Sequence, residues 1–404
     1  MWAIKTGKNL TMVESVFITS AARTAIGAFG GTLKDVSAID LGTIAARAAI
    51  ERSGLDGEAI GHSVIGNVIH GEARDMYISR VISVNAGVSR FAPALTVNRL
   101  CGSGLQAIVS AAQTLMLGDC DAVLAGGAES MSNGGYLMPR LRFGARMGET
   151  AVVDMMQGAL YDPFGHGLMG ITAENIAERY GIDREAQDAF ALESQRRAAA
   201  AIEAGHFKDQ IVPVPVTQRR ETVDFLVDEH PRAVTSDKLA GMRPVFKKDG
   251  SVTAGNASGI NDGAAALTMV AESAAGRLGA TPIARIMAYG HAAVEPDEMG
   301  VGPVPAVRIA LERAGIKASD LSVIESNEAF AAQSCYVSRE LDLDPAKVNP
   351  NGGAIALGHP VGATGAILAT KAIYELQRVQ GRYGLMTMCI GGGQGIAVVI
   401  ENML

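Results

Sequence analysis

The sequence lacks the features that mark membrane proteins and nucleic-acid-binding proteins. No run of apolar residues approaches the roughly 20 that cross a bilayer, although 48% of the 404 residues are hydrophobic. Lysine and arginine form no cluster, and the net charge is −7. An acidic chain of this kind attracts nucleic acid poorly, so an anionic ligand would depend on local cations or helix N-termini. We therefore expect neither a membrane nor a nucleic acid among its partners.

Cysteine is scarce as well. The four cysteines, Cys101, Cys120, Cys335 and Cys389, are widely spaced and include no CxxC pair. This usage is typical of free thiols in a reducing compartment rather than of a disulfide or zinc framework. The histidines show no metal-ligand spacing. The sequence therefore predicts a cytoplasmic protein without a metal site.

The first residues lack the apolar core of a secretory signal. Residues 1–11 are mainly polar and precede a second methionine, Met12. We expect a disordered extension over residues 1–11, with Met1 and Met12 as alternative natural starts.

A glycine-spaced turn between an apolar run and a helical pattern holds the first candidate for chemistry. Residues 94–97 are mostly apolar, and from Leu105 onward apolar residues recur three and four positions apart, as on one helix face. Cys101 lies between the two patterns. Unpaired N–H groups and the dipole at a helix N-terminus favour a thiolate, which makes Cys101 a candidate nucleophile. The alternative is a buried structural cysteine.

Two parts of the chain share one pattern. Residues 49–55 (AIERSGL) resemble residues 310–316 (ALERAGI), and an asparagine follows each at a similar distance. In both parts a Val-Asn pair and a small-residue turn precede an apolar helix, which leads to a strand with a glycine-rich end. Repeated strand-helix-strand units predict right-handed crossovers and mostly parallel strands. We infer a duplicated α/β fold whose two glycine-rich turns face each other.

A segment between the two copies fits neither of them. It contains a helical stretch at 172–204 and a polar, charged stretch at 218–249. A long insertion with its own helices is typical of a binding region over a site. We predict an N-terminal half of residues 12–130 plus 260–283, an inserted loop domain of residues 131–259, and a C-terminal half of residues 284–404.

Three motifs in the second copy carry further candidates. They read NEAFA at 327–331, NGGAIALGHP at 351–360 and CIGGGQG at 389–395. If the copies pack as inferred, His359 and Cys389 converge on Cys101. Each candidate has a simpler interpretation: His359 and Asn327 as turn residues, Cys389 as a core cysteine, and the glycine run as a phosphate cradle.

Together with CGSG at 101–104, these motifs resemble the thiolase family of acetyl-CoA acyltransferases, over residues 16–402 and in family order. The resemblance implies a duplicated fold with two mixed sheets in α-β-α-β-α layers and an inserted loop domain. It also implies reversible, CoA-dependent cleavage and formation of β-ketoacyl-CoA through a cysteine acyl-enzyme. Coenzyme A thioesters would be substrates, no cofactor would be bound, and the chain would form a dimer or tetramer.

The resemblance also assigns catalytic roles. Cys101 would be the nucleophile, and His359 would take its proton. Cys389 would be the second acid or base, acting on the Cα proton of acetyl-CoA. The enolate oxygen would bind His359 and a water held by Asn327, while the backbone N–H groups of Cys101 and Gly391 would form a second oxyanion hole.

By the same resemblance, CoA would lie under the insertion, with Arg232 against the adenine and Ser258 near the pantetheine. The remaining binding residues would form apolar walls and the acyl pocket: Leu160, Phe246, Ala329 and Phe330 in the walls, and Met169 and Met299 at the pocket. Short-chain biosynthetic members typically have His where this chain has Leu168. That difference leaves a more apolar pocket and favours short to medium chains; the alternative is a strict acetoacetyl-CoA-forming enzyme.

Other classes fit the sequence less well. A decarboxylating condensing enzyme of the related synthase class needs two histidines, and Cys389 occupies the place of the second. An inactive CoA-binding or lipid-binding relative predicts loss of Cys101, His359 or Cys389, and all three are present. A dinucleotide-binding domain would carry G-x-G-x-x-G after the first strand, which this chain does not.

Overall fold

A computed structural model describes residues 3–6, 9–12, 14–218 and 220–404 of the chain. Nineteen strands form within these residues. In chain order they are β1 (Ala3–Thr6), β2 (Asn9–Met12), β3 (Val16–Thr24), β4 (Gly27–Ala28), β5 (His62–Gly66), β6 (Ala94–Val97), β7 (Ala122–Ser130), β8 (Tyr136–Leu137), β9 (Val153–Asp154), β10 (Tyr161–Asp162), β11 (Gly167–Leu168), β12 (Ile211–Val212), β13 (Val214–Gln218), β14 (Glu221–Phe225), β15 (Asn261–Ala271), β16 (Ala284–Ala293), β17 (Leu321–Ser326), β18 (Tyr383–Ile390) and β19 (Gln394–Asn402).

Twelve α-helices form within the same residues. They are α1 (Ala38–Ser53), α2 (Ile78–Asn85), α3 (Ser103–Met116), α4 (Met155–Ala159), α5 (Met169–Tyr180), α6 (Arg184–Ala204), α7 (Ser236–Ala240), α8 (Glu272–Ala275), α9 (Pro303–Ala314), α10 (Ala331–Glu340), α11 (Ala354–Leu357) and α12 (Thr364–Arg378). No helix among the described residues is long and apolar enough to span a bilayer.

A central sheet runs in the order β17-β18-β19-β16-β3-β15-β7-β5-β6, with β12 and β4 added on β3 and β15. Its two halves correspond to the two predicted sheets, and they join where residues 284–286 of β16 pair with residues 16–18 of β3. The expectation of mostly parallel strands is wrong. β5 pairs in parallel with β6 and β7, and β17 with β18, but β15 and β19 return antiparallel to their neighbours. The sheet is therefore mixed.

Alternating side chains place a core on each face of both sheet halves. Leu267 of β15 and Val398 of β19 join one buried cluster with Leu105 of α3 and Ile367 of α12. Adjacent residues of the same strands point the other way, to outer clusters that contain α1 and α9. The helices α3 and α12 therefore form a central layer between the sheet halves, as the predicted five layers require.

The two glycine-rich turns meet at the N-termini of α3 and α12. A Cβ atom on Gly104 would lie 2.8 Å from the backbone nitrogen of Ala366, and one on Gly365 would lie 2.1 Å from that of Leu105. Glycine is required at both positions because the two backbones touch. The prediction that the turns of the two copies face each other is confirmed.

The inserted segment contributes α4 to α7 and several short hairpins. Its helices α5 and α6 pack on α10 and α11 of the second copy, and its strand β12 pairs in parallel with β3. The predicted domain boundaries remain predictions. The extension predicted over residues 1–11 lies partly outside the described residues; of its described parts, β1 pairs antiparallel with β2.

Candidate active site

Cys101 lies in the turn that joins β6 to α3. The preceding residue, Leu100, has a φ of 44°, a left-handed conformation that costs energy for a residue with a Cβ. Side chains on both sides hold this turn: Asn98 accepts from the Leu100 N–H at 3.0 Å, and the Ser103 hydroxyl donates to the Leu100 carbonyl at 2.7 Å. The cysteine is therefore held in one position above the start of α3.

The Cys101 thiol is stabilised as a thiol in the folded protein. Burial raises its pKa most strongly, the nearby Glu129 carboxylate raises it further, and the backbone N–H groups of Gly391 and Cys101 lower it. The backbone N–H groups favour the thiolate, but desolvation outweighs them in the free protein. Deprotonation of Cys101 needs a base.

His359 is the candidate base, and its hydrogen bonds define its tautomer. Its Nδ1 lies 2.6 Å from Thr364 Oγ1, and that hydroxyl lies 2.8 Å from the Pro360 carbonyl oxygen. Because a carbonyl only accepts, the single hydroxyl proton goes to Pro360, and Nδ1–H donates to Thr364. Nε2 is then left to accept a proton. Burial lowers the pKa of His359 to about 4, so the ring is neutral near pH 7.

Asn327 lies beside this imidazole, and Cys389 lies near Cys101. The amide nitrogen Nδ2 of Asn327 is 3.4 Å from His359 Nε2, and its backbone N–H donates to Thr387 at 2.9 Å. Its buried Oδ1 has no hydrogen-bond partner among the described residues. Cys389 ends the buried strand β18, where burial and the neighbouring Cys101 both raise the pKa of its thiol. The structure thus places Asn327 at His359, and Gly391 and Cys389 at Cys101.

Glu129, which belongs to none of the sequence motifs, connects the two copies near Cys101. Its buried carboxylate accepts from the N–H groups of Val68 at 3.1 Å, Ile69 at 3.1 Å and Gly362 at 2.8 Å, and from Asn67 Nδ2 at 2.9 Å. Burial raises the pKa of Glu129 to about 8. A charged residue at the end of the otherwise apolar strand β7 is the signal that could have identified it.

The predicted binding residues surround two adjoining cavities. The inner cavity, of about 310 Å³, reaches His359 and has walls from six of the predicted residues: Leu160, Leu168, Met169, Phe246, Ser258 and Phe330. The outer cavity, of about 380 Å³, contains Arg232 and His230. Residues 257–260 and Phe246 line both cavities, so the two cavities adjoin along this loop. Met299 and Ala329 pack in a buried cluster with Cys389.

The loop between the cavities is built on the NEAFA motif. Residue 257 pairs as a β-bridge with Phe330, and the Ser258 N–H donates to the Ala329 carbonyl at 3.0 Å. Glu328 holds the other side of the motif, because it accepts from the Ser194 hydroxyl at 2.6 Å and from Asn349 Nδ2 at 2.8 Å. The motif therefore joins the inserted segment to the catalytic loops.

A duplicated α/β fold with a neutral histidine at an apolar cavity, and two thiols packed with residues of its walls, defines an enzyme site for acyl chemistry. Comparison with known proteins specifies the class. Residues 16–273 match the family model for the thiolase N-terminal domain, and residues 280–402 match that for the thiolase C-terminal domain. The chain belongs to the thiolase family and is an acyltransferase.

Individual relatives cover nearly the whole chain. It is 60% identical to beta-ketothiolase BktB of Cupriavidus necator, over 97% of this chain and 100% of that protein. It is 47% identical to an acetyl-CoA acetyltransferase of Thiocystis violacea, with the same coverage. The structure of human mitochondrial 3-ketoacyl-CoA thiolase in complex with CoA superposes with a TM-score of 0.94, at 43% identity, and covers 98% of this chain and 100% of that one.

Proposed function

We propose that this chain cleaves and forms β-ketoacyl-CoA of short to medium length through an acyl-enzyme on Cys101. In the cleavage direction, His359 Nε2 takes the Cys101 proton and the sulfur attacks the β-carbonyl carbon. The bond between Cα and Cβ then breaks, and Cys389 donates a proton to the acetyl-CoA enolate. The thiol of a second CoA gives its proton to Cys389 and attacks the acyl carbonyl carbon; the bond to Cys101 breaks, and the Cys101 sulfur regains its proton from His359. The observation that carries this proposal is the neutral His359 with an unprotonated Nε2.

Two sets of donors stabilise the developing negative charges. The N–H groups of Cys101 and Gly391 hold the oxygen of the tetrahedral adduct that forms when CoA attacks the acyl group on Cys101. This role is supported by the two N–H groups lowering the pKa of the Cys101 thiol. His359 and a water on Asn327 hold the enolate oxygen. The buried Oδ1 of Asn327 supports this role, because a buried amide oxygen is costly to leave without a hydrogen bond.

Coenzyme A occupies the outer cavity and extends into the inner one. Arg232 contacts the adenine end, and Ser258 contacts the pantetheine where the two cavities adjoin. The positions of Arg232 in the outer cavity and of Ser258 in both cavities support this order. CoA thioesters are therefore substrates, and the proposed steps use side chains and backbone N–H groups of the chain together with the water on Asn327.

Leu168 favours acyl groups longer than acetoacetyl. It lines the inner cavity with Leu160, Met169 and Phe330, and an apolar wall stabilises each methylene that it removes from water. A strict acetoacetyl-CoA-forming enzyme is the second candidate, since acetyl-CoA acetyltransferases are among the relatives.

We also propose a cytoplasmic homodimer or homotetramer. Strand β6 is an end strand of the central sheet. Phe91, just before this strand, is 95% exposed, and Leu95, within it, is 46% exposed. An open strand edge with apolar neighbours is typical of a surface that another chain covers. The four free cysteines support a reducing compartment.

The test is the CoA-dependent loss of β-ketoacyl-CoA absorbance, measured on acetoacetyl-CoA and on a substrate of six to ten acyl carbons. Comparable or faster cleavage of the longer substrate supports the short to medium range. Cleavage of acetoacetyl-CoA alone supports the strict acetyltransferase, and cleavage of neither contradicts the proposal.

A further inference from the structure

An apolar cluster that sequence analysis did not identify packs directly against Cys101. Its buried members are Ile69, Met131 and Val361, and its partly buried members include Met156 and Leu160. A different cluster, with Met169, Met299 and Phe330, packs against Cys389. The two thiols therefore lie against different apolar clusters, and members of both clusters line the inner cavity.

These two clusters would meet the substrate at different points. In the proposed cleavage, the new bond joins Cys101 to the acyl carbonyl, while the acetyl-CoA enolate faces Cys389. The acyl chain therefore extends from a carbonyl carbon that is bonded to the Cys101 sulfur. The cluster around Cys101 is thus the surface that an acyl chain meets first.

Met156 differs from the buried members of this cluster in its position. It lies on the short helix α4 and lines the inner cavity, as do Asp154, Gln157 and Leu160. Asp154 holds the start of α4 by accepting from the Met156 N–H at 2.9 Å. On the other side, Met156 packs near Gly134, where a Cβ atom would come within 2.9 Å of the Met156 Cβ.

Resting on the proposed function, we infer that Met156 is a specificity-determining residue that closes the acyl end of the inner cavity and sets the chain length accepted on Cys101. Its unbranched side chain has three rotatable bonds, so it can move aside for some added methylenes but fills the space when the acyl group is short. The neighbouring residues of α4 are more exposed than Met156. Shortening the Met156 side chain therefore extends the inner cavity toward solvent.

The neighbouring methionine provides a matched control. Met155 precedes Met156 on the same helix and is 41% exposed, and it does not line the inner cavity as described. Substitutions at the two positions therefore change the same residue type in the same helix, and only one of them changes the cavity wall.

The experiment measures kcat/KM for CoA-dependent cleavage of acetoacetyl-CoA and of the eight-carbon β-ketoacyl-CoA. Met156→Ala should raise the ratio of the longer to the shorter substrate about fourfold or more, the effect of at least one additional buried methylene. Met156→Trp should lower that ratio about tenfold or more. Met155→Ala should leave it within about twofold of the wild-type ratio.

A ratio of two substrates on one preparation does not depend on the fraction of folded enzyme, so partial unfolding of a variant does not obscure the result. If Met156→Trp does not fold, Met156→Phe replaces it. The inference is overturned if the ratio of the longer to the shorter substrate stays at the wild-type value in both Met156 variants. It is also overturned if Met155→Ala changes this ratio as much as Met156→Ala does. A wild-type enzyme that cleaves neither substrate contradicts the proposed function instead.

Discussion

The Nδ1–H of His359 donates to the hydroxyl of Thr364 at 2.6 Å, and this hydroxyl donates to the carbonyl of Pro360 at 2.8 Å. The three residues lie in one turn at the start of α12. That local chain of hydrogen bonds fixes which imidazole nitrogen carries the proton, and it leaves Nε2 facing Asn327. The turn itself thus prepares His359 to act as a base.

Thr364→Val should lower kcat strongly while lowering the thermal unfolding temperature only slightly. Without the acceptor, Nδ1–H loses its partner and the other tautomer is populated, so kcat should fall about 100-fold with little change in KM. Thr364→Ser should restore most of the activity. The measurement is steady-state cleavage of acetoacetyl-CoA, combined with the thermal unfolding temperature.

Thr370→Val is the matched control. Thr370 is a buried threonine of the same helix, and its hydroxyl donates to the Ala366 carbonyl at 2.9 Å, far from the imidazole. If both valine variants lose kcat equally, Thr364 stabilises the helix rather than the tautomer.

The two thiols should be separable by the step that each supports. Cys101→Ser should abolish acyl-enzyme formation from acetyl-CoA, because the hydroxyl is a far weaker nucleophile than a thiolate. Cys389→Ser should still become acylated but fail to make or break the carbon-carbon bond. Rapid-quench acylation followed by mass measurement of the intact protein distinguishes them, and an equal loss of acylation in both variants would falsify this division.

Local patterns identified much of this site. Cys101, His359 and Cys389 each lie in a short glycine-containing motif, and the duplicated pattern brought them together through the facing turns of α3 and α12. The family and the duplicated fold follow from the same motifs, and the comparisons confirm both. Such residues are predictable because the turn chemistry that presents them is encoded within a few positions.

Other features depend on contacts between distant residues and were missed. Glu129 meets Gly362 across the two copies, and no local pattern predicts that pair. The raised pKa of Cys101 was missed for the same reason. The helix N-terminus that lowers this pKa is a local feature, whereas the burial that raises it depends on the whole fold. The antiparallel returns of β15 and β19 likewise follow from how the halves pack, not from the strand-helix alternation.

Glu129→Gln should disturb both the fold and the Cys101 thiol. The amide can no longer accept from all four donors, and each buried group left without a partner costs about 1–3 kcal/mol. Removal of the carboxylate should also lower the pKa of Cys101, because the negative charge of Glu129 raises it. The rate of alkylation by iodoacetamide, followed against pH, should rise at lower pH than in the wild type.

Glu174→Gln serves as the comparison for Glu129. Glu174 is also buried and accepts from backbone N–H groups, those of Ser251 and Val252 at 2.8 Å each, in the inserted segment. Both variants should unfold at lower temperature, whereas only Glu129→Gln should change the pH dependence of alkylation. An unchanged alkylation profile would mean that Glu129 acts on the fold alone.

His359 should also make the folded state sensitive to acid. Its pKa is about 4 in the folded protein, below the 6.5 of an exposed histidine, so the unfolded chain binds more protons between these values. Stability from this group is therefore present above pH 6.5 and is lost as the pH falls toward 4, by about 2 kcal/mol between pH 7 and pH 5.

Urea unfolding at the two pH values measures the loss. His359→Asn should lose about 2 kcal/mol less than the wild type over this interval, whereas the same substitution of the exposed His70 should lose as much as the wild type. Equal losses in the His359 variant and the wild type would show that this buried imidazole does not resist protonation.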